Sequence, residues 1–129
     1  MIVNTDILRA VFDASRNGAN GFIRHPLARN LIYTDGVRDV AQLAGAYWLL
    51  DVIGTEFVPA YLKLEEPGLG VIKVIVKHDA AKITMDVDDG QPPVYIRRIE
   101  YTDFPEGTWT FYMASDDGVS CTLILPTEY

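Results

Sequence analysis

The chain reads as α+β: two N-terminal helices packed on an antiparallel sheet of about six strands in a meander. Three observations predict it. Tyr33 to Glu56 is a helical stretch in which Leu43 to Leu50 (LAGAYWLL) is apolar on every side, so another element must bury it. From Phe57 onward the apolar period changes from the helical one to two, which is the strand period. The strand-like runs alternate apolar with polar residues, the mark of an antiparallel sheet with one wet face.

In the first helix, Asn4 or Thr5 caps and Asp6 sits near the positive end. Ile7, Leu8, Val11 and Phe12 make one narrow apolar stripe, and Asn17-Gly18 ends it. Gly18 to Asn30 reads as an extended crossing segment, because Pro26 drives His25 out of the α region. Leu31, Ile32 and Tyr33 then return the chain to the core.

Thr34 or Asp35 caps the central helix. Val37, Val40, Ala41, Ala44 and Trp48 form one stripe, and Leu43, Tyr47, Leu50 and Ile53 the next. Gly45 is expected at a close approach of another element, and Gly54 at the C-terminal stop. Asp51, near that C-terminus, faces the wrong end of the helix dipole. It therefore needs water or a partner such as Arg24, Arg29 or a backbone donor.

Val58 to Leu64 reads as the first strand, with Pro59 restricting it to an edge or a strand start. Val71 to Lys77 points Ile72, Val74 and Val76 inward and Lys73 and Lys77 outward. Lys82 to Asp88 points Ile83, Met85 and Val87 inward. Val94 to Phe104, Thr108 to Ala114 and Val119 to Leu125 complete the sheet, with turns at 105–107 and 116–118.

At 129 residues the chain is one domain, long enough for a core without metal or disulfide staples. No apolar run reaches the ~18 residues of a membrane span, and the start lacks a charged region followed by an apolar one. A cytoplasmic protein that does not insert in membranes is the expectation. Cys121, the single cysteine, sits in an alternating run as a packed, inert thiol.

The net charge of −7 is unevenly spread. Residues 1–38 carry five arginines against three aspartates, and the other 91 residues hold −9. An acidic body argues against general nucleic-acid binding, which needs clustered Lys and Arg.

No P-loop, GxSxG, CxxC or HExxH occurs, so no cofactor and no metal is expected. Asp86-Val-Asp-Asp-Gly90 superficially resembles a calcium loop. Its glycine stands one place early, and its twelfth position is Arg97 rather than Glu. It reads as a turn. His25 and His78 are the only histidines. Most aromatics fall on core positions, with Tyr101 and Tyr112 the best placed to face outward. Glu100 and Asp103 are placed to pair with Arg97 or Arg98 across strands.

Five segments carry a resemblance: Arg24-His25, YTDG at 33–36, AGAYWLLD at 44–51, EYTDFP at 100–105 and LILPTEY at 123–129. Together they resemble an uncharacterised family of small proteins carried by bacteria, phages and plasmids, over nearly all of the chain from residue 20. The resemblance implies a fold unit and a set of positions but no reaction. Mobile-element residence implies a protein that binds a host or defence component, CRISPR inhibition included.

Two readings of function follow. In the first, the chain is a small acidic binding protein that inhibits or modulates a host or defence-system protein or ribonucleoprotein complex. Its contact set is Asp86, Asp88, Asp89, Asp116 and Asp117, which would steer it to a basic surface, with Tyr112 on the sheet. In the second, it is a small enzyme with a His/Asp acid–base site built from His25, Tyr33, Asp35 and Asp51 at the helix ends. The discriminating observation is whether those four side chains converge in a concave pocket. Oligomeric state is left open by the sequence.

Overall fold

The computed structural model describes residues 21–65, 67–87, 90–102, 104–115 and 117–128. The helix expected around Ile7 to Phe12 lies outside them, as do Asp88, Asp89, Asp103 and Asp116.

The described chain is α+β, but the sheet is larger than expected and is not a meander. Its strands are β1 (Phe22–Arg24), β2 (Leu31–Thr34), β3 (Gly70–Lys77), β4 (Ala80–Asp86), β5 (Tyr95–Ile99), β6 (Gly107–Ala114) and β7 (Cys121–Ile124). They lie side by side in the order β1-β2-β7-β6-β3-β4-β5. The β2–β7 pair is parallel and the other pairs are antiparallel.

The described α-helices come between β2 and β3 instead of preceding every strand. α1 (Asp35–Ala44) is followed by a second helical run made of α2 (Tyr47–Val52), a π-helical turn (Ile53–Phe57) and α3 (Val58–Leu62). The single central helix is therefore broken, and Gly45 breaks it. Its φ of 61° is left-handed, and its N–H reaches back to the Ala41 and Gln42 carbonyls in a C-terminal cap. Nothing lies within 4 Å of a Cβ placed there.

Gly54 has the role expected of Gly45. A Cβ on it would stand 2.6 Å from the Ala28 Cβ, so the β1–β2 loop passes directly over the helix at this point. The two glycines have exchanged functions relative to the sequence reading.

The break also explains why Leu43 to Leu50 is apolar all round without being wholly buried. Leu43 and Tyr47 belong to different helices, and Tyr47 is 48 % exposed. Trp48, expected in the core, is half-buried at its margin. The second run buries Ala46, Leu49, Leu50, Ile53, Gly54, Phe57, Val58 and Tyr61, one stripe at three- and four-residue steps. That stripe overturns the strand expected from Val58. Pro59 sits at the start of α3, directly after the π-helical turn, where the helical hydrogen-bond pattern is already interrupted.

The core lies between this stripe and the inner sheet face. Ile72, Val74 and Val76 of β3, Ile83 and Met85 of β4, Trp109, Phe111 and Met113 of β6, and Leu123 of β7 fill it. Trp109 donates its indole N–H to the Pro105 carbonyl at 2.8 Å and meets Phe104 edge-on. The segment EYTDFP thus plugs one end of the core. His78 and Asp79 (φ 52° and 64°) form a two-residue hairpin turn between β3 and β4. Cys121 is fully buried, and burial pushes its thiol pKa up to about 12, as expected of an inert packed cysteine.

Candidate functional site

Two of the four residues proposed for acid–base chemistry, His25 and Asp51, meet where the β1–β2 loop lies on the second helical run, with Tyr33 within electrostatic reach of Asp51. His25 follows β1 and is 4 % exposed. Its Nδ1 accepts N–H donors from Leu27 (3.1 Å) and Ala28 (2.8 Å). Two donors at Nδ1 require that nitrogen to be unprotonated, so Nε2 carries the ring hydrogen. Nε2 donates it to Asp51 Oδ1 at 2.7 Å.

Asp51 stands one turn before Gly54 in the second helical run, so the same helix face supplies the carboxylate and the gap into which Ala28 fits. Asp51 is mid-run because the helix continues through Leu62; its partner is His25 and not an arginine. The Tyr33 phenol is raised above its ordinary pKa, by burial first and then by Tyr47, with Asp51 adding to the rise and Arg38 opposing it.

Asp35 stays apart from this group. Its Oδ1 accepts from the Gly36 N–H at 2.9 Å, and Thr34 is the true helix cap, accepting from Val37 N–H at 3.2 Å. The Thr34 hydroxyl in turn donates to Glu128 Oε1 at 2.7 Å, which also accepts the Leu125 N–H at 2.8 Å. The YTDG and LPTEY segments are therefore two halves of one clasp.

Chemically, the His25 group holds a loop down. Both ring nitrogens are engaged, and none of the four residues lines the groove formed by Ile75, Lys77, Lys82 and Arg98. Among the described residues no group of three His, Cys, Asp or Glu side chains is placed to hold a metal. No helix among them is long and apolar enough to cross a membrane.

The outer sheet face carries the other candidate residues. Strand register places Asp86, Val71, Tyr112 and Ile124 in one row across four strands. Asp86 and the half-buried Tyr112 are thus brought onto one surface, and Tyr101 is 70 % exposed. Asp117 is occupied within its own turn. Its carboxylate accepts from Ser120 N–H at 2.8 Å and Val119 N–H at 2.9 Å, and these bonds lower its pKa. The remaining three aspartates of the contact set lie outside the described residues.

Moving along the face, the next row is Thr110, Lys73, Thr84 and Ile96, and the next Thr108, Ile75, Lys82 and Arg98. The face runs from an acidic end at Asp86 to a basic end at Lys77, Lys82 and Arg98. The sequence reading placed Lys73, Lys77 and Lys82 outward but missed their alignment with Arg98, because period-two alternation gives the face of a residue and not its cross-strand neighbour. Arg97 lies on the helix side of the sheet, partly exposed, and pairs with Glu56, to which Tyr95 also donates at 2.8 Å.

A family model matches residues 14–129: DUF6876, a family of unknown function. The chain belongs to the DUF6876 family. No curated protein and no solved structure matches it. The matched stretch contains all five segments noted in the sequence, and the structure gives most of them mechanical work in this DUF6876 chain. His25 with Asp51 clamps the loop, YTDG with LPTEY clasps the start of α1, and EYTDFP closes the core.

Proposed function

We propose that this DUF6876 chain is a binding protein that acts by covering part of a protein or ribonucleoprotein partner. The partner class is a host or defence-system component, and inhibition or modulation follows from occlusion. The observation that supports this reading is the outer sheet face. It presents Ile75 (37 % exposed) and Ile96 (41 %) among threonines and charged residues, while the described helices all serve the inner face. Exposed apolar residues rimmed by polar ones are the composition of a contact surface. Opposite charge at the two ends of the face would fix the orientation of a docked partner. The acid–base alternative draws no comparable support, since His25 offers a substrate neither ring nitrogen.

The test is site-specific photo-crosslinking in cells of a natural host. A photoreactive residue replaces Thr108 on the outer face or, as control, Gln42 on exposed α1. The expected result is one adduct from position 108 and none from position 42. Adducts only from position 42 would overturn the assignment of the surface.

A further inference from the structure

The basic end of the outer face has a groove of about 370 Å³, lined by Ile75, Lys77, Ala80, Lys82, Arg98 and Glu100 among others. We infer that this groove is a site for an extended acidic peptide segment carrying an apolar side chain. The inference rests on the outer-face reading above and specifies what the partner presents there.

Charge placement is the first argument. Lys82 and Arg98 are direct cross-strand partners, and like charges in that position are destabilising. Lys77 of β3, opposite Ala80, is the diagonal neighbour of Lys82. None of the three has an ion pair among the described residues. Arg97, by contrast, lies on the opposite side of the sheet and has Glu56. A carboxylate laid between Lys82 and Arg98 converts a repulsion into two attractions.

The shape and chemistry of the floor are the second. Ile75, Ala80, Ala81 and Ile99 make it apolar, and its volume falls in the ~300–1,000 Å³ range of ligand pockets. The lining contains no aromatic ring on which a base could stack, and the chain carries −7 overall, which repels a long polyanion. A short acidic segment senses mainly the groove wall, where Lys77, Lys82 and Arg98 outnumber Glu100, because charges beyond a Debye length of ~8–10 Å are screened.

The sheet edge is the third. β5 ends the strand order, so an extended segment can lie alongside it next to Arg98. A second copy of this chain docking by the same edge would set Arg97 and Arg98 against their own kind, which disfavours self-pairing.

The test is fluorescence anisotropy with the intact chain and a labelled peptide in which two glutamates flank a phenylalanine on each side. Counterparts carry lysine for glutamate, or alanine for the phenylalanine, and a labelled oligothymidylate is the nucleic-acid probe. The wild type should bind the acidic phenylalanine peptide saturably, more weakly as salt rises, and bind the alanine version less tightly. The variant Lys82→Glu/Arg98→Glu should lose about tenfold or more in affinity, since two exposed ion pairs are removed and two repulsions added. Both sites are exposed, so melting temperature serves as the folding control. Absence of saturable binding by the wild type, undiminished affinity in the variant, or tighter binding of the oligothymidylate would overturn the inference. The Thr108 adduct, measured in the same charge-reversed variant, separates the two readings. An adduct that survives while the peptide fails to bind leaves the outer face standing as the contact surface without an acidic occupant.

Discussion

Gly54→Ala puts a methyl group where the β1–β2 loop rests on the second helical run. By helix propensity alone the change should stabilise by ~1 kcal/mol. The structure says otherwise, because the new Cβ would stand 2.6 Å from the Ala28 Cβ and 3.4 Å from Leu31 Cδ2. Carbon atoms pack at about 3.5–4.0 Å, so the loop must retreat by roughly 1 Å. Ala28 gives little, since its Cβ is fixed to the backbone. Overpacking of this kind costs ~1–3 kcal/mol. The retreating loop also carries His25, whose bond to Asp51 contributes about 1 kcal/mol and lies one turn away. Propensity gain and hydrogen-bond loss cancel, leaving a net destabilisation of ~1–3 kcal/mol. Urea denaturation of four proteins measures it: wild type, Gly54→Ala, Ala28→Gly and the double variant. Ala28→Gly alone should lose ~0.4–1 kcal/mol through unfolded-state entropy. In its background Gly54→Ala should cost little, giving a favourable coupling of about 1–3 kcal/mol. Additive losses, or a stabilised Gly54→Ala single variant, would refute the close-approach argument.

Other perturbations separate the roles of neighbouring residues. His25→Ala empties a buried ring site and leaves two part-buried amides without their acceptor, and should lose about 2–3 kcal/mol, whereas Asp51→Ala, whose side chain is 62 % exposed, should lose ~1 kcal/mol or less; equal losses in denaturation would count against the clamp. Thr34→Ala removes both the α1 cap and the tie to Glu128 and should cost ~1–2 kcal/mol, and Asp35→Ala less than half of that by the same assay. Alkali should destabilise the fold. The Cys121 pKa is raised from 9.0 to about 12, so the folded state holds a proton that the unfolded state releases, and stability is intact below pH 9 and falls progressively up to about 12. Cys121→Ala should delay the onset of that decline to the region above 10.0, where Tyr33, Tyr61 and Tyr95, all raised, take over.

The parts of the fold legible in the sequence are those fixed by alternation against a core. β3, β4, β6 and β7 and their turns follow from residues such as Ile72, Val74 and Val76, because a one-residue slip would expose the whole set. The helical run through Val58 to Leu62 was hidden. Val58, Ala60 and Leu62 alternate like a strand, and only the continuation of the Leu50–Phe57 stripe to Tyr61 shows the helical period. Gly45 and Gly54 are chemically identical, and what distinguishes them is Ala28, a tertiary neighbour that no local pattern names. The sequence places His25 and Asp51 in one candidate group, but their bond spans 26 positions, and no local pattern shows that the other ring nitrogen is tied to the Leu27 and Ala28 amides. The basic row needed the β4–β5 register, which places Arg98 beside Lys82.

The parallel β2–β7 pair has a kinetic consequence. β3 and β4 meet through a two-residue turn and can zip early, at little cost in loop entropy. Leu31 finds Cys121, and Tyr33 finds Leu123, only after nearly everything between them has been gathered in. The search for that seam sets the pace of folding, as non-local strand pairing does in general. Unfolding is expected to run the same order backwards, so the strand seam that joins the β1–β2 hairpin to the rest of the sheet should be the first to lose amide-exchange protection.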